Sequence, residues 1–169
     1  CKLDGFVKWA AGATLENPQL PLIDVTAVGN VAGGEDDLVS ESLPANTMVA
    51  NGKGIRITAW GTAANNSNPK TVRLKFGTAT LLTTALTVSQ AGTWRITADV
   101  IRTGASTQDY SAELKQGGAT TILDVEGGTA AETDTAAITV KCTGEVTDGG
   151  GGINNNDIVQ DGLIVELLN

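Results

Sequence analysis

Apolar and polar side chains alternate along most of this chain with a period of two, the rhythm of strands buried on one side. In Gly54-Ile55-Arg56-Ile57-Thr58-Ala59-Trp60-Gly61, the residues Ile55, Ile57 and Ala59 share one face, and Arg56, Thr58 and Trp60 share the other. An asparagine-rich loop over 62–69, closed by Pro69, leads to Val72, Leu74 and Phe76 alternating with Arg73 and Lys75. The longest predicted strand sets Trp94, Ile96, Ala98 and Val100 against Arg95, Thr97, Asp99 and Ile101, with Trp94 heading the buried face. Further strands are predicted over 25–31, 38–43, 79–86, 107–115, 120–126 and 136–143, and last over 158–159 and then 163–168. Between them lie turn signals: an acidic turn at 33–37, Asn51-Gly52, Ala91-Gly92, Gly117-Gly118, Gly127-Gly128 and Gly144. About nine or ten strands at spacings of roughly 8–15 residues, with no helical period, predict an all-β sandwich or barrel.

Two stretches break the rhythm. Residues 1–24 pass from Phe6, Val7 and Trp9 through an alanine-rich run to Pro18 and Pro21, and read as an irregular N-terminal arm before a sandwich domain over 25–169. Phe6 and Trp9 on such an arm need a surface to cover them, either the domain's own flank or a neighbouring subunit. The last strand is apolar on both faces, since Leu163, Val165 and Leu167 oppose Ile164 and Leu168. Trp60, Ile164 and Leu168 are therefore candidate contacts between subunits, and cover by a second sheet or by the arm is the equal alternative.

Composition narrows the function. A chain of 169 residues buries about 70% of its unfolded surface, enough for a core without disulfide staples. A net charge of −8, with the eleven Lys and Arg scattered, argues against a nucleic-acid partner and against anionic membranes. The chain contains no histidine, which removes the commonest general base and the commonest transition-metal ligand. Cys142 continues the Ile138 and Val140 face and is expected to be an inert buried thiol. The chain opens on Cys1 and not on methionine, as a processed protein or a piece of a longer one would; a lipidated terminal cysteine is the sharper alternative.

Candidate chemistry is thin. Asp99, Asp109, Glu113 and Asp124 would suit glycoside hydrolysis if two converged, but alternation sends the first three outward. Glu35-Asp36-Asp37 and the segment 148–157, with its glycine run and asparagines, hold oxygen ligands for calcium; a solvated acidic turn and a loosely ordered surface loop are the readings preferred. No catalytic residue, cofactor or metal site is assigned, and the chain is read as non-enzymatic.

Several ordered motifs carry a resemblance. Ser42-Leu43-Pro44-Ala45-Asn46-Thr47, Thr58-Ala59-Trp60-Gly61-Thr62, Asn65-Asn66, the run from Lys70 to Gly77, Trp94-Arg95-Ile96, Ile101-Arg102-Thr103-Gly104-Ala105 and Asn156-Asp157-Ile158-Val159-Gln160 resemble tailed-bacteriophage virion-surface structural proteins. The resemblance implies an antiparallel β-sandwich of jelly-roll type on the virion surface, outside the cell. It implies a capsid-decoration (cement) module, assembled as a homotrimer whose partners are itself and the major capsid protein. A tail or head fibre or spike module is the close alternative, seated on a fibre base and touching a host glycan. A secreted filament-forming or carbohydrate-binding sandwich is the third. For a glycan, Trp60 and Tyr110 are the plausible aromatic platforms.

Overall fold

The computed structural model describes residues 21–89, 91–117 and 122–168. These form eleven strands and no helix: β1 (Leu22–Asp24), β2 (Val28–Gly29), β3 (Gly34–Leu43), β4 (Gly54–Ala63), β5 (Lys70–Phe76), β6 (Ala79–Leu86), β7 (Gly92–Gly104), β8 (Thr107–Gln116), β9 (Ile122–Ala130), β10 (Ile138–Val146) and β11 (Ile158–Leu168). Every pairing is antiparallel, and two sheets result. The seven-stranded sheet runs β1-β11-β4-β7-β8-β9 with β2 also on β11; the four-stranded sheet runs β3-β10-β5-β6. The chain is an all-β antiparallel sandwich. Phe6 and Trp9, with the rest of 1–20, lie outside the described residues.

The alternation decides the inside. Ile55, Ile57 and Ala59 of β4 and Trp94, Ile96, Ala98 and Val100 of β7 form one core layer, against Val72, Leu74 and Phe76 of β5 and Val140 and Cys142 of β10. Trp94 is buried, and its indole N–H donates to the Thr62 carbonyl at 3.2 Å, so the polar edge of the ring is satisfied inside. On β11, Ile158 and Leu163 are both buried although five residues apart, an odd step that strict alternation forbids. A bulge between Gln160 and Gly162 makes up the phase. Gln160 steadies it: fully buried, it accepts from Val39 N–H at 3.0 Å across the sandwich and donates to the Gly162 carbonyl at 3.2 Å.

The structure departs from the sequence reading in four places. The predicted strand 25–31 shrinks to the two residues of β2, which lies on β11 beyond β1 with 25–27 between them. Leu22–Asp24, read as the end of the arm, is thus a sheet strand, possible because Pro21 stands just before the ladder. The acidic turn at 33–37 is instead the opening of β3. Gly127-Gly128 and Gly144 lie inside β9 and β10. These glycines are there for close packing: a Cβ on Gly128 would press on the Tyr110 hydroxyl at 3.1 Å and its ring at 3.3 Å, and one on Gly144 would meet Leu38 at 3.2 Å.

The edges formed by β6 and β9 are bridged by side chains. Glu126 of β9 accepts from Thr83 N–H of β6 at 3.0 Å, and Asp124 accepts from the Thr84 hydroxyl at 2.8 Å. Carboxylates thus occupy an edge that would otherwise template another strand.

Candidate functional site

The outer faces of the two sheets differ in kind. On the four-stranded sheet, Glu35 pairs with Lys75 and with Arg73 (3.6 Å), Arg73 pairs with Glu145 at 2.5 Å, and Lys141 pairs with Asp37 at 2.8 Å. The Lys75 ammonium and the Thr143 hydroxyl, both hydrogen-bonded to Glu35, hold its carboxyl below the usual carboxylate range. The three neighbouring acids of β3 are therefore spent separately. Asp36 points away from the other two and caps Val31 N–H at 3.0 Å. No group of three or more metal-ligating His, Cys, Asp or Glu side chains occurs among the described residues.

The outer face of the seven-stranded sheet keeps apolar side chains in reach of solvent. A shallow cleft of about 400 Å³ is lined by Thr58 and Trp60 of β4, Arg95 of β7, and Ile164 and Glu166 of β11. Trp60 stands opposite Gly162, and a Cβ there would overlap its indole, so glycine lets the ring lie flat on β11. Ile23 of β1, 57% exposed, pairs with Ile164 and extends the apolar strip to the sheet edge. A second cleft of about 270 Å³, lined by Arg56, Thr97, Asp99, Ser111, Glu113 and Val125, continues toward β9. Its floor carries a two-pronged ion pair, Arg56 Nε and Nη2 to the Asp99 carboxylate at 2.7 and 2.8 Å, which raises the Arg56 pKa. Val125 at its rim is 61% exposed.

Of the residues singled out from sequence, Trp60 and Ile164 share the first cleft. Leu168 is also half-buried, but at the far end of β11, opposite Gly54. Tyr110 packs against the core. Of the four acids, Asp99 and Glu113 line the second cleft together, Asp99 holding Arg56 and Glu113 holding Lys115 at 2.8 Å, whereas Asp124 holds Thr84 and Asp109 is exposed on β8. Cys142 is a buried free thiol, its pKa pushed up from 9.0 to about 12 by burial.

A polar cluster that sequence reading passed over closes one end of the sandwich. Lys70 is 1% exposed, yet its Nζ donates to Asn66 Oδ1 at 2.5 Å and to the Asn68 carbonyl at 2.9 Å. Burial lowers its pKa, against the pull of the Asp157 charge. Asp157, 2% exposed, accepts from Asn66 Nδ2 at 2.7 Å and from Asn68 Nδ2 at 2.8 Å. Asn68 also binds the 148–157 loop, donating to the Gly152 carbonyl at 2.9 Å and accepting from Gly149 N–H at 3.0 Å. That loop, expected to be loosely ordered, is thus tied down, and a Cβ on Gly149 would collide with the Ser67 carbonyl. One signal was present in the sequence: Lys70 falls in phase with Val72, Leu74 and Phe76, the buried face of β5.

A second missed pair joins the half-buried Arg102 to the buried Asp134 at the opposite end of β7, where Arg102 also donates to Asn51 Oδ1 at 2.6 Å.

No known family model matches the chain, and no curated protein matches it. Among solved structures, it is similar to peanut lectin in complex with a 9mer peptide, at 8% identity and a TM-score of 0.39, over 97% of each chain. A likeness that weak carries no conclusion about function.

Proposed function

We propose that this chain is a non-enzymatic structural module of a phage virion, a capsid-decoration protein that associates with copies of itself through the outer face of its seven-stranded sheet. The observation that carries the association is the contrast between faces: one is covered by a network of ion pairs, and the other keeps Trp60, Ile164 and Ile23 together at its surface. An aromatic beside an aliphatic patch, rimmed by Arg95 and Glu166, has the make-up of an interface centre with a polar rim. The placement on a virion rests on the sequence resemblance. Asp99 and Glu113 share a cleft, but each is already ion-paired, to Arg56 and to Lys115, which supports a role without bond-making.

The test has two arms. Native mass at micromolar concentration should give a closed oligomer, a trimer by expectation; a monomer at that concentration counts against self-association. Incubation with expanded phage shells should give stoichiometric binding and a higher disruption temperature. Binding to host cells without binding to shells would move the chain to the fibre or spike alternative. The glycan reading draws on one observation, the half-exposed Trp60 ring flanked by charged hydrogen-bonding groups in a cleft. Glycan-array binding lost in Trp60→Ala would favour it.

A further inference from the structure

The cluster that closes the end of the sandwich places an amine, a carboxamide and a carboxylate in the order an acyl transfer requires. Lys70 Nζ lies 2.5 Å from Asn66 Oδ1. With a C=O bond of about 1.23 Å, Nζ is within about 3.7 Å of Asn66 Cγ, close to the ~3–3.5 Å of a near-attack arrangement. The orientation of the Asn66 amide is set by its neighbours, since the Lys70 amine and Asn68 N–H donate to Oδ1 while the Asp157 carboxylate accepts from Nδ2.

We propose that Lys70 and Asn66 join in an intramolecular isopeptide bond, with Asp157 as the proton carrier. Lys70 Nζ feels the Asp157 charge but is hydrogen-bonded to Asn66 Oδ1 and the Asn68 carbonyl. In the first step its flexible chain must therefore turn to hand a proton to the Asp157 carboxylate before the neutral Nζ attacks Asn66 Cγ. The Nζ–Cγ bond forms as the carbonyl opens, and the charge growing on Oδ1 is met by Asn68 N–H, already donating to that oxygen at 3.2 Å. Asp157 returns its proton to Nδ2, the leaving nitrogen it already touches at 2.7 Å, and takes the second proton from Nζ. The carbonyl re-forms as Cγ–Nδ2 breaks. Ammonia leaves with the last proton as ammonium, and Asp157 is again a carboxylate. No oxidant or other reactant is needed.

The surroundings favour this chemistry. Burial lowers the Lys70 pKa and so raises the share of nucleophilic amine. Asn68 and Asp157, at 1% and 2% exposure, shield the cluster from water that would compete for the carbonyl. The product would close the 66–70 turn covalently beneath the glycine loop that Asn68 anchors.

The test is the intact mass of the wild-type chain, purified folded and measured after denaturation, followed by tryptic mapping. The expected result is a mass lower by one ammonia than the sequence requires, loss of cleavage after Lys70, and fragment ions joining Asn66 to Lys70. Lys70→Arg and Asp157→Ala, the latter recovered folded or from inclusion bodies, should each retain the ammonia. A full-mass wild-type chain cleaved normally after Lys70 would overturn the proposal and leave a structural hydrogen-bond cluster. Ammonia loss that persists in Lys70→Arg would overturn it in favour of a succinimide at Asn66. Loss of water with Lys70 joined to Asp157 would overturn the assignment of the acceptor.

Discussion

The two outer faces of this sandwich are built from the same alternation and finish it differently. On the four-stranded sheet, Glu35, Asp37, Arg73, Lys75, Lys141 and Glu145 pair their charges across neighbouring strands, with Arg73 Nη1, 3.6 Å from Glu35, left without a hydrogen bond. On the seven-stranded sheet the outward positions hold Trp60, Ile164, Ile23 and Val125 beside two ion pairs, Arg56 with Asp99 and Lys115 with Glu113. A face whose charges are paired on site resists a partner through the cost of breaking those pairs; a face of half-exposed apolar groups gains by being covered.

The largest expected effect concerns the four-stranded sheet. Cys142 lies on its inner side with a pKa raised from 9.0 to about 12, which near neutral pH cuts the thiolate share about 1,000-fold. A thiol reagent should label Cys142 in the folded chain at least ~10³-fold more slowly than in denaturant. Rapid labelling of the folded chain would show that the four-stranded sheet opens easily, and the contrast between faces would lose its meaning.

Next comes Trp60→Ala. It should weaken self-association about 30-fold or more, as loss of a central aromatic contact does. The monomer's melting temperature should fall by no more than about 4 °C, since a half-exposed ring supports the fold little. Analytical ultracentrifugation and thermal unfolding separate the two, and an unaltered oligomer would move the interface off this face.

Arg73→Ala on the opposite face should do the reverse. It loses Glu145 at 2.5 Å and Glu35 at 3.6 Å, costing about 1–2 kcal/mol in denaturant unfolding with association unchanged.

The smallest effect is the pH dependence of Glu35. Its folded pKa lies below the ordinary 4.5, so its contribution is complete above that value and lost as pH falls through the folded one. With the side chain 36% exposed, solvent screening holds this to less than about 1 kcal/mol. Glu35→Gln should flatten the stability profile below pH 4.5, and an unchanged profile would show that the pair with Lys75 contributes nothing to stability.

What was legible in the sequence followed from local periodicity. The faces of β4, β5 and β7, and of β11 from Leu163 onward, could be read directly, and Trp94 and Cys142 could be placed inside, because alternation in a strand is a property of that strand alone. Glycine misled where it serves packing, at Gly128 and Gly144, since a glycine kept for a neighbour's ring or methyl looks the same as one kept for a turn.

The strand pattern alone therefore determined the class of fold and which side chains line its core. Tertiary structure alone decided which strands became neighbours and in what register, and so which face would balance its charges and which would not. It also brought Asn66 and Lys70, from one loop and strand, against Asp157, from the far end of the chain. The physical reason is that alternation needs only the next residue, whereas convergence depends on the pairing of distant strands and on bulges such as the one after Gln160 that set their phase.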